Sequence, residues 1–375
     1  VINNREVELA ERIAAKTPGD LNRIYFTTGG STAVDSALRL CQLASNIKGQ
    51  PHRKHILTRE KAYHGSTYLS ASITGKERDK TAMDIMRDGV HFLSAPCYFY
   101  HPEFATEAEF CDFLVDELEQ KILELGPENI MCFIAEPVMA SGGVIVPPAD
   151  YNYRCWQMVK KHEITYIADE VVTAFGRLGY WFASEKVFGI VPDIIIFAKG
   201  VTSGYIPMGG YAVSESFLDS FSGDNAEGCL YSNGYTWGGS PVACAAALAS
   251  WDIIEKEELL DRVLEIGPYF QQQLQTLQDI PLVGNVRGEG LMAAVEMTIE
   301  GRNELDLLEK DYAIGEMVDQ HCQKLGLLVR PFINICIISP PLIINKKQVD
   351  ELVSILRQGL ELTLTDLRDQ GVWVD

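Results

Sequence analysis

The sequence predicts an α/β protein, with a large domain built on a mostly parallel sheet covered by helices and a small α+β domain at the C-terminal end. Two observations predict this architecture. Short runs of β-branched and aromatic residues alternate with helical patterns over the first two thirds of the chain, as in a mostly parallel sheet. The pattern then changes to strand-like segments followed by one amphipathic helix. We place the boundary near residue 266, which gives a large domain of residues 1–266 and a small domain of residues 267–375.

Six apolar runs are expected to form the strands of the large domain. They lie at residues 24–27, 55–57, 131–135, 164–168, 193–197 and 210–213. Between them, apolar residues recur at helical spacing, for example from Val34 to Cys41. An alanine-rich stretch from Pro241 to about Leu260 is expected to form one long helix. The predicted helices would cover the sheet.

The small domain is expected to hold a second sheet, closed by a helix. Its strands are predicted around Gly288 and at residues 291–295, 327–330 and 335–338. The helix follows, with one apolar face made of Val349, Leu352, Val353 and Leu356.

Composition and charge exclude several classes of function. The 375 residues include 52 acidic and 32 basic side chains, for a net charge of -20, so we expect neither nucleic acid nor a membrane surface as a partner. No apolar run approaches the roughly 20 residues that a membrane helix needs. Nine cysteines without a C-x-x-C pair suit packed thiols in a reducing compartment, so we expect a cytoplasmic protein and no metal site.

The most informative residues are Asp169 and Lys199, which stand 30 residues apart, each after an apolar strand. Open α/β sheets bind their ligands at the carboxyl ends of strands. A lysine with a lowered pKa can form a Schiff base with a carbonyl cofactor, and a carboxylate can keep a pyridine nitrogen protonated. This pair indicates pyridoxal phosphate. Taken singly, Asp169 could instead cap a helix and Lys199 could be solvated.

A phosphate site is predicted where a strand enters a Gly-Gly-Ser turn that begins a helix. The N–H groups of Gly30, Ser31 and Thr32 and the positive helix end would face an anion. The turn lacks the G-x-G-x-x-G spacing and the Walker lysine, so it does not indicate a dinucleotide or ATP. A second small polar cluster at residues 233–240 could add a phosphate donor through Thr236.

Two side chains are candidates for the faces of the cofactor ring. Tyr63 offers a flat aromatic side chain after the second predicted strand, and Val171 could pack on the opposite face. A tyrosine in this position could also be an ordinary core or interface residue.

Taken together, these segments resemble the class III (ω-amino acid) aminotransferases of PLP fold type I, and the taurine:pyruvate-like members in particular. Five motifs carry the resemblance: the phosphate turn at 28–35, the A-E-P segment at 135–138, the D-E-V and F-G-R segments within 168–177, the lysine motif at 197–200 and the F-T-x-x-G-like turn at 235–239. The resemblance implies a seven-stranded sheet and a homodimer, or a tetramer, with shared active sites.

The resemblance also assigns roles to individual residues. Lys199 would hold the cofactor and move protons, and Asp169 would pair with the ring nitrogen. Cofactor binding would further involve Gly30, Ser31, Tyr63, His64, Glu136, Val171 and, from the other subunit, Thr236. Thr32 and Ala174 depart from the usual glutamate and glycine of the family without touching the cofactor chemistry.

Two further residues, compared with their counterparts in the family, indicate which oxo acid is the substrate. Arg330 resembles a mobile arginine that binds the carboxylate of alanine or pyruvate, which suits a planar guanidinium; it could also be a surface arginine at a strand end. In members that use 2-oxoglutarate, a glutamate five residues after the A-E-P glutamate pairs with an active-site arginine. This chain has Ser141 there, which cannot form that ion pair and favours pyruvate.

We therefore expect a ping-pong transaminase that moves an amino group from a terminal primary amine or ω-amino acid, such as taurine, β-alanine or putrescine, to pyruvate. The alternatives are a 2-oxoglutarate-dependent class III enzyme, an aminomutase or decarboxylase of the same fold, and a catalytically silent cofactor-binding protein. Only 29 residues precede Gly30, so the N-terminal segment that the family adds to its small domain is expected to be absent from this sequence.

Overall fold

The computed structural model describes residues 2–221, 226–298 and 309–373. Seven strands form the sheet of the large domain: β1 Arg23–Thr27, β2 His55–Arg59, β3 Val90–Leu93, β4 Ile130–Ala135, β5 Thr165–Asp169, β6 Ile194–Phe197 and β7 Gly209–Val213. Their order is β1-β7-β6-β5-β4-β2-β3. The neighbours from β6 to β3 pair in parallel, and β7 is antiparallel to both of its neighbours. The predicted mostly parallel, seven-stranded sheet is confirmed.

The central strands are predictable because they are buried on both faces. Every residue of β4 and of β6 is buried, so these strands appear in the sequence as continuous apolar runs. Strand β3, which contains His91 and lies at the edge of the sheet, was not predicted. Its residues are mostly half-buried, so it carries neither a continuous apolar run nor a clean alternation.

Helices cover both faces of this sheet. They are α1 Asn4–Ala14, α2 Gly30–Ile47, α3 Tyr68–Ser72, α4 Glu107–Leu125, α5 Tyr151–Lys161, α6 Ala183–Phe188, α7 Glu215–Leu218 and α8 Pro241–Lys256. The helix predicted from the spacing of Val34 and Cys41 is α2. The prediction of one helix from Pro241 to about Leu260 is wrong. A second helix, α9 (Leu259–Gln275), begins after Glu258, whose left-handed backbone (φ 51°) interrupts the helical path.

The small domain contains a four-stranded antiparallel sheet. Its strands are β8 Val283–Glu289, β9 Met292–Met297, β10 Arg330–Phe332 and β11 Ile335–Ile338, in the order β10-β11-β9-β8. Two further helices, α10 Glu309–Lys324 and α11 Lys346–Asp369, complete the domain. The amphipathic helix predicted around Val353 is α11.

The strand predicted at residues 327–330 is wrong except for its last residue, because β10 begins at Arg330. Leu327 and Val329 pack partly against the small-domain core, which accounts for their apolar character. Leu328 between them is 82% exposed. This segment therefore alternates like a strand without pairing with any strand in the described parts of the chain.

The predicted domain boundary at residue 266 falls inside α9. Val263, Ile266 and Phe270 of this helix lie in the core of the small domain, whereas Trp251 of α8 belongs to the core of the large domain. The change of core thus takes place between α8 and the first turn of α9. The limits of the domains stay a prediction.

Buried polar contacts join the two domains close to the sheet edge that carries the candidate site. Arg287 Nη1 lies 2.6 Å from Glu296 Oε2, and the Tyr100 hydroxyl of the large domain donates to the same carboxylate. Arg177 also donates to the backbone carbonyls of Leu291 and Pro340. None of the helices in the described residues is long and apolar enough to cross a membrane.

Candidate active site

The carboxyl ends of β5 and β6 bring Asp169 and Lys199 to the same edge of the sheet. The two strands are parallel neighbours, with Asp169 in register with Ile196. Asp169 is the last residue of β5, and Lys199 follows the end of β6 by two residues. Successive parallel strands end on the same side of a sheet, which is why two residues distant in the sequence meet here.

Lys199 occupies a strained backbone position at the mouth of this site. Its φ of 39° lies in the left-handed region that non-glycine residues seldom adopt, and such strain is commonly stored at functional sites. The side chain opens to solvent, yet the surrounding protein removes its amine partly from water and lowers the pKa of Lys199. The nearby negative charges of Asp169 and Glu136 oppose this decrease in pKa, and the positive charge of Arg330 adds to it. A lowered pKa increases the fraction of neutral, nucleophilic amine.

Asp169 is held by two contacts in a buried setting. Its Oδ2 lies 2.7 Å from His64 Nδ1, and its Oδ1 accepts a hydrogen bond of 3.1 Å from the backbone N–H of Val171. Both Asp169 and His64 are buried. His64 Nε2 lies 3.2 Å from the Thr58 hydroxyl. The resemblance placed His64 among the cofactor-binding residues, but its direct contact with the Asp169 carboxylate was not predicted.

Glu136, just past the end of β4, organises the loop that carries Tyr63. One of its oxygens accepts a hydrogen bond of 3.0 Å from the backbone N–H of Tyr63, and the other accepts one of 3.1 Å from Ala140. Burial raises the pKa of Glu136, and the nearby negative charge of Asp169 raises that pKa further. Glu136 therefore lies close enough to Asp169 to respond to its charge, and it fixes the backbone beneath the Tyr63 ring.

The predicted phosphate turn adjoins this group. Helix α2 begins at Gly30, directly after β1; Gly29 provides no side-chain cap, and the first turn contains no acidic residue. A Cβ atom on Gly30 would lie 3.3 Å from both methyl groups of Val171, so the turn and the Val171 side chain are in close contact. Ser31 Oγ accepts a hydrogen bond of 3.0 Å from Ser66 N–H, which ties the turn to the Tyr63 loop.

Thr236 lies apart from these residues, and Arg330 reaches them through its charge. Thr236 is exposed in the segment before α8, and within the described residues of one chain it makes no hydrogen bond to another predicted site residue. Arg330 is exposed at the start of β10, but its charge lowers the pKa of Lys199. It also lines a cleft of about 760 Å³ on the small domain that includes no other predicted site residue.

Lys76 is a site residue that the sequence analysis missed. Its amine donates a hydrogen bond of 2.9 Å to Ser141 Oγ and lies 5.3 Å from the centre of the Tyr63 ring and 4.4 Å from that of Phe332. In the sequence it opens a run of charged residues, a pattern typical of a solvated surface. Its contacts span both domains, so only the fold reveals its position.

A match to a known protein family identifies the kind of active site that these residues form. The model of the family described as "Aminotransferase class-III" matches residues 1–360. The chain belongs to the class III aminotransferases. It is therefore an aminotransferase that depends on pyridoxal phosphate and acts on small-molecule amines and oxo acids.

Curated relatives and solved structures agree with this membership. The chain is similar to a putrescine–pyruvate aminotransferase of Pseudomonas aeruginosa, with 38% identity over 95% of this chain and 77% of that protein. It is also 38% identical to γ-aminobutyrate transaminase 1 of Oryza sativa subsp. indica, over 94% and 68% of the two chains.

Among solved structures, one described as a transaminase with L-alanine has a TM-score of 0.93 at 36% identity and covers 98% of this chain and 86% of that one. An (S)-enantioselective ω-transaminase from Thermomicrobium roseum has a TM-score of 0.90 at 35% identity, over 96% and 79% of the two chains. These likenesses confirm the fold expected for a PLP fold type I transaminase.

The site residues of this class III aminotransferase provide suitable binding groups for each part of pyridoxal phosphate. The first turn of α2 offers uncapped N–H groups and a positive helix end to a phosphate. Asp169 provides an oriented, buried carboxylate for a ring nitrogen. Lys199 has an amine with a lowered pKa near that carboxylate.

Proposed function

We propose that this aminotransferase transfers an amino group from a terminal primary amine or ω-amino acid to pyruvate, which leaves as alanine. The observation that carries the choice of pyruvate is Ser141, whose hydroxyl accepts a hydrogen bond from Lys76. A serine cannot form the ion pair with an active-site arginine that a glutamate would form at this position. The relative that is named a putrescine–pyruvate aminotransferase supports the same pair of substrates.

Arg330 is the proposed ligand for the carboxylate of pyruvate and alanine. Within the described residues it takes part in no ion pair, so its guanidinium is available for bidentate binding. Burial is the main cause of the lowered pKa of Lys199, and the positive charge of Arg330 adds to that decrease. An exposed position on the edge strand β10 also lets the side chain move aside when an uncharged amine enters.

The protein residues have separate tasks in this proposal. Pyridoxal phosphate supplies the electron sink that stabilises negative charge on the substrate carbon. Lys199 Nζ takes the proton from the carbon that bears the amino group and returns it on the product side. Asp169, oriented by His64, would hold the ring nitrogen, and Tyr63 and Val171 would lie on the two faces of the ring. Gly30 and Ser31 would bind the phosphate.

A homodimer with shared sites completes the proposal. Thr236 would reach the phosphate in the second subunit, which accounts for its lack of hydrogen bonds to the other predicted site residues within the described residues of its own chain. Exposed apolar side chains surround it in sequence, with Leu230, Trp237 and Val242 all largely accessible, and such residues favour an interface.

The eight buried cysteines are thiols, which supports a reducing compartment such as the cytoplasm.

A half-reaction screen tests the proposed substrates. Each amine is mixed with the cofactor-loaded enzyme and the absorbance of the bound cofactor is followed; each oxo acid is then tested for its ability to restore that absorbance. We expect terminal amines to deplete the absorbance and pyruvate to restore it, with release of the first product before the oxo acid binds, as ping-pong kinetics requires. Restoration by 2-oxoglutarate and not by pyruvate would refute the choice of acceptor.

A further inference from the structure

Lys76 is a partly buried cation at the junction of the two domains. Its amine donates to Ser141 Oγ, which follows β4, and lies over the rings of Tyr63 from the large domain and Phe332 from β10. Cation–π contacts of this kind hold an ammonium group in place but do not neutralise it. The amine is thus fixed beside the ring that we assign to one face of the cofactor.

The charges that surround Lys76 leave its positive charge uncompensated by an ion pair. Asp79 and Arg78 lie on its own segment and form a contact of 3.2 Å with each other. Glu136 follows β4 and Arg330 begins β10; the charge of Glu136 raises the pKa of the Lys76 amine and that of Arg330 lowers it. Within the described residues, no carboxylate pairs with Lys76. An ammonium group has three N–H donors, of which Ser141 accepts one.

Arg330 and Lys76 place two positive charges near residues that we assign to the cofactor. Arg330 lowers the pKa of Lys199 as well as that of Lys76, so it lies within electrostatic reach of both amines. Two cations with free donors, one beside the Tyr63 ring and one within electrostatic reach of Lys199, form an environment that attracts an anion and repels a second cation.

We propose that Lys76 is a specificity-determining residue that selects amino donors whose far end is a carboxylate or sulfonate over diamines of the same length. The inference rests on the proposed function and narrows its donors. The free N–H groups of Lys76 bind the anionic end of an ω-amino acid, and its charge disfavours the second ammonium of a diamine. Arg330 remains the ligand for the oxo acid.

This selection depends on pH in a defined direction. Burial, together with the charges of Arg78 and Arg330, lowers the pKa of the Lys76 amine to about 8, against the opposing effect of Asp79 and Glu136. The amine is charged below that pH, so the preference for an anionic donor is complete at lower pH and declines as the pH rises through about 8. Free primary amines titrate near 10.4, so the donors themselves do not cause this change.

The test compares three donors with four carbons each in the cofactor-loaded enzyme: 4-aminobutyrate, butylamine and putrescine. Two ratios are measured. The 4-aminobutyrate ratio is kcat/KM for 4-aminobutyrate divided by kcat/KM for butylamine, and the putrescine ratio is kcat/KM for putrescine divided by kcat/KM for butylamine. Lys76→Met removes the charge and keeps the length of the side chain, and Lys76→Arg keeps the charge. Lys121→Met, on the exposed face of α4 beside Glu124, is the matched control.

We expect Lys76→Met to lower the 4-aminobutyrate ratio by about tenfold or more, equivalent to about 1.4 kcal/mol, and to raise the putrescine ratio. Its ratios should no longer change with pH around 8. Lys76→Arg should keep the preference for 4-aminobutyrate, and Lys121→Met should resemble the wild type. Ratios that stay the same in Lys76→Met, or a preference lost equally in Lys76→Arg, would overturn the proposal.

A binding measurement separates this inference from the proposed function. Butyrate keeps the anionic end and lacks the amine, so calorimetry measures its dissociation constant without turnover. We expect Lys76→Met to bind butyrate about tenfold more weakly than the wild type and Lys121→Met to bind it equally well. An enzyme that converts no terminal amine, yet binds butyrate through Lys76, would refute the proposed function alone. Equal butyrate binding by Lys76→Met and wild type would refute the role of Lys76.

Discussion

Replacing His64 by leucine is expected to lower the rate of amino transfer by about 10- to 100-fold. The His64 Nδ1 atom lies 2.7 Å from Asp169 Oδ2, and only 3% of His64 and 4% of Asp169 is exposed. A carboxylate accepts hydrogen bonds, so Nδ1–H is the donor. Hydrogen bonds to charged groups contribute about 1.5–3 kcal/mol, and about 1.4 kcal/mol corresponds to a factor of ten.

The reason lies in the orientation of the carboxylate. Without the imidazole, Asp169 retains the Val171 N–H contact on Oδ1, and its second oxygen loses its hydrogen-bond partner while the carboxylate stays buried. The carboxylate is then free to turn toward another donor, and the alignment with the ring nitrogen that we propose for it is lost. We expect a weaker hold on the cofactor together with slower turnover.

Two variants serve as controls for this experiment. His64→Asn places an amide N–H near the position of Nδ1 and should recover much of the lost activity. Thr58→Val removes the 3.2 Å contact on the opposite side of the imidazole and should have a smaller effect. Steady-state kinetics, cofactor titration and thermal unfolding are measured for each protein. A His64→Leu enzyme with wild-type cofactor affinity and turnover would refute the positioning role of His64.

Three further predictions follow from other contacts. Arg330→Gln removes a positive charge that lowers the pKa of Lys199, and the pKa of Lys199 should therefore rise. The midpoint of cofactor attachment, followed by absorbance against pH, should then move to higher pH. An unchanged or lower midpoint would contradict this prediction. Glu296→Gln leaves the Arg287 guanidinium without its buried partner at 2.6 Å, and urea unfolding should show a loss of about 3–5 kcal/mol, whereas a loss below about 1 kcal/mol would argue against a strong pair. Trp237→Glu puts a charge among exposed apolar residues beside Thr236, and sedimentation should then show a shift from dimer to monomer; an unchanged dimer would place the interface elsewhere.

Functional side chains that directly follow a strand can be predicted from the sequence. Asp169 and Lys199 each follow a buried apolar run, and the parallel arrangement of β5 and β6 places them together. The Gly30 turn is similarly local, since a strand, a glycine pair and a helix follow one another directly. In each case the residues that define the feature are neighbours along the chain.

Contacts between distant segments could not be predicted in this way. The His64–Asp169 pair joins residues 105 positions apart, and Lys76–Ser141 joins residues 65 apart across the site. In each pair, the sequence around one residue does not indicate which distant residue it contacts. The helix break at Glu258 was missed for a different reason, because it depends on a left-handed backbone at a residue type that ordinarily continues a helix.

The most direct test of the account is the turnover of Lys199→Ala. The structure places Lys199 at the sheet edge that also carries Asp169, and burial lowers the pKa of its amine. We predict that Lys199→Ala folds, retains weak binding of pyridoxal phosphate or its amine form, and shows no measurable transfer from any terminal amine to pyruvate. A Lys199→Ala enzyme that transfers amino groups at the wild-type rate would contradict the central claim.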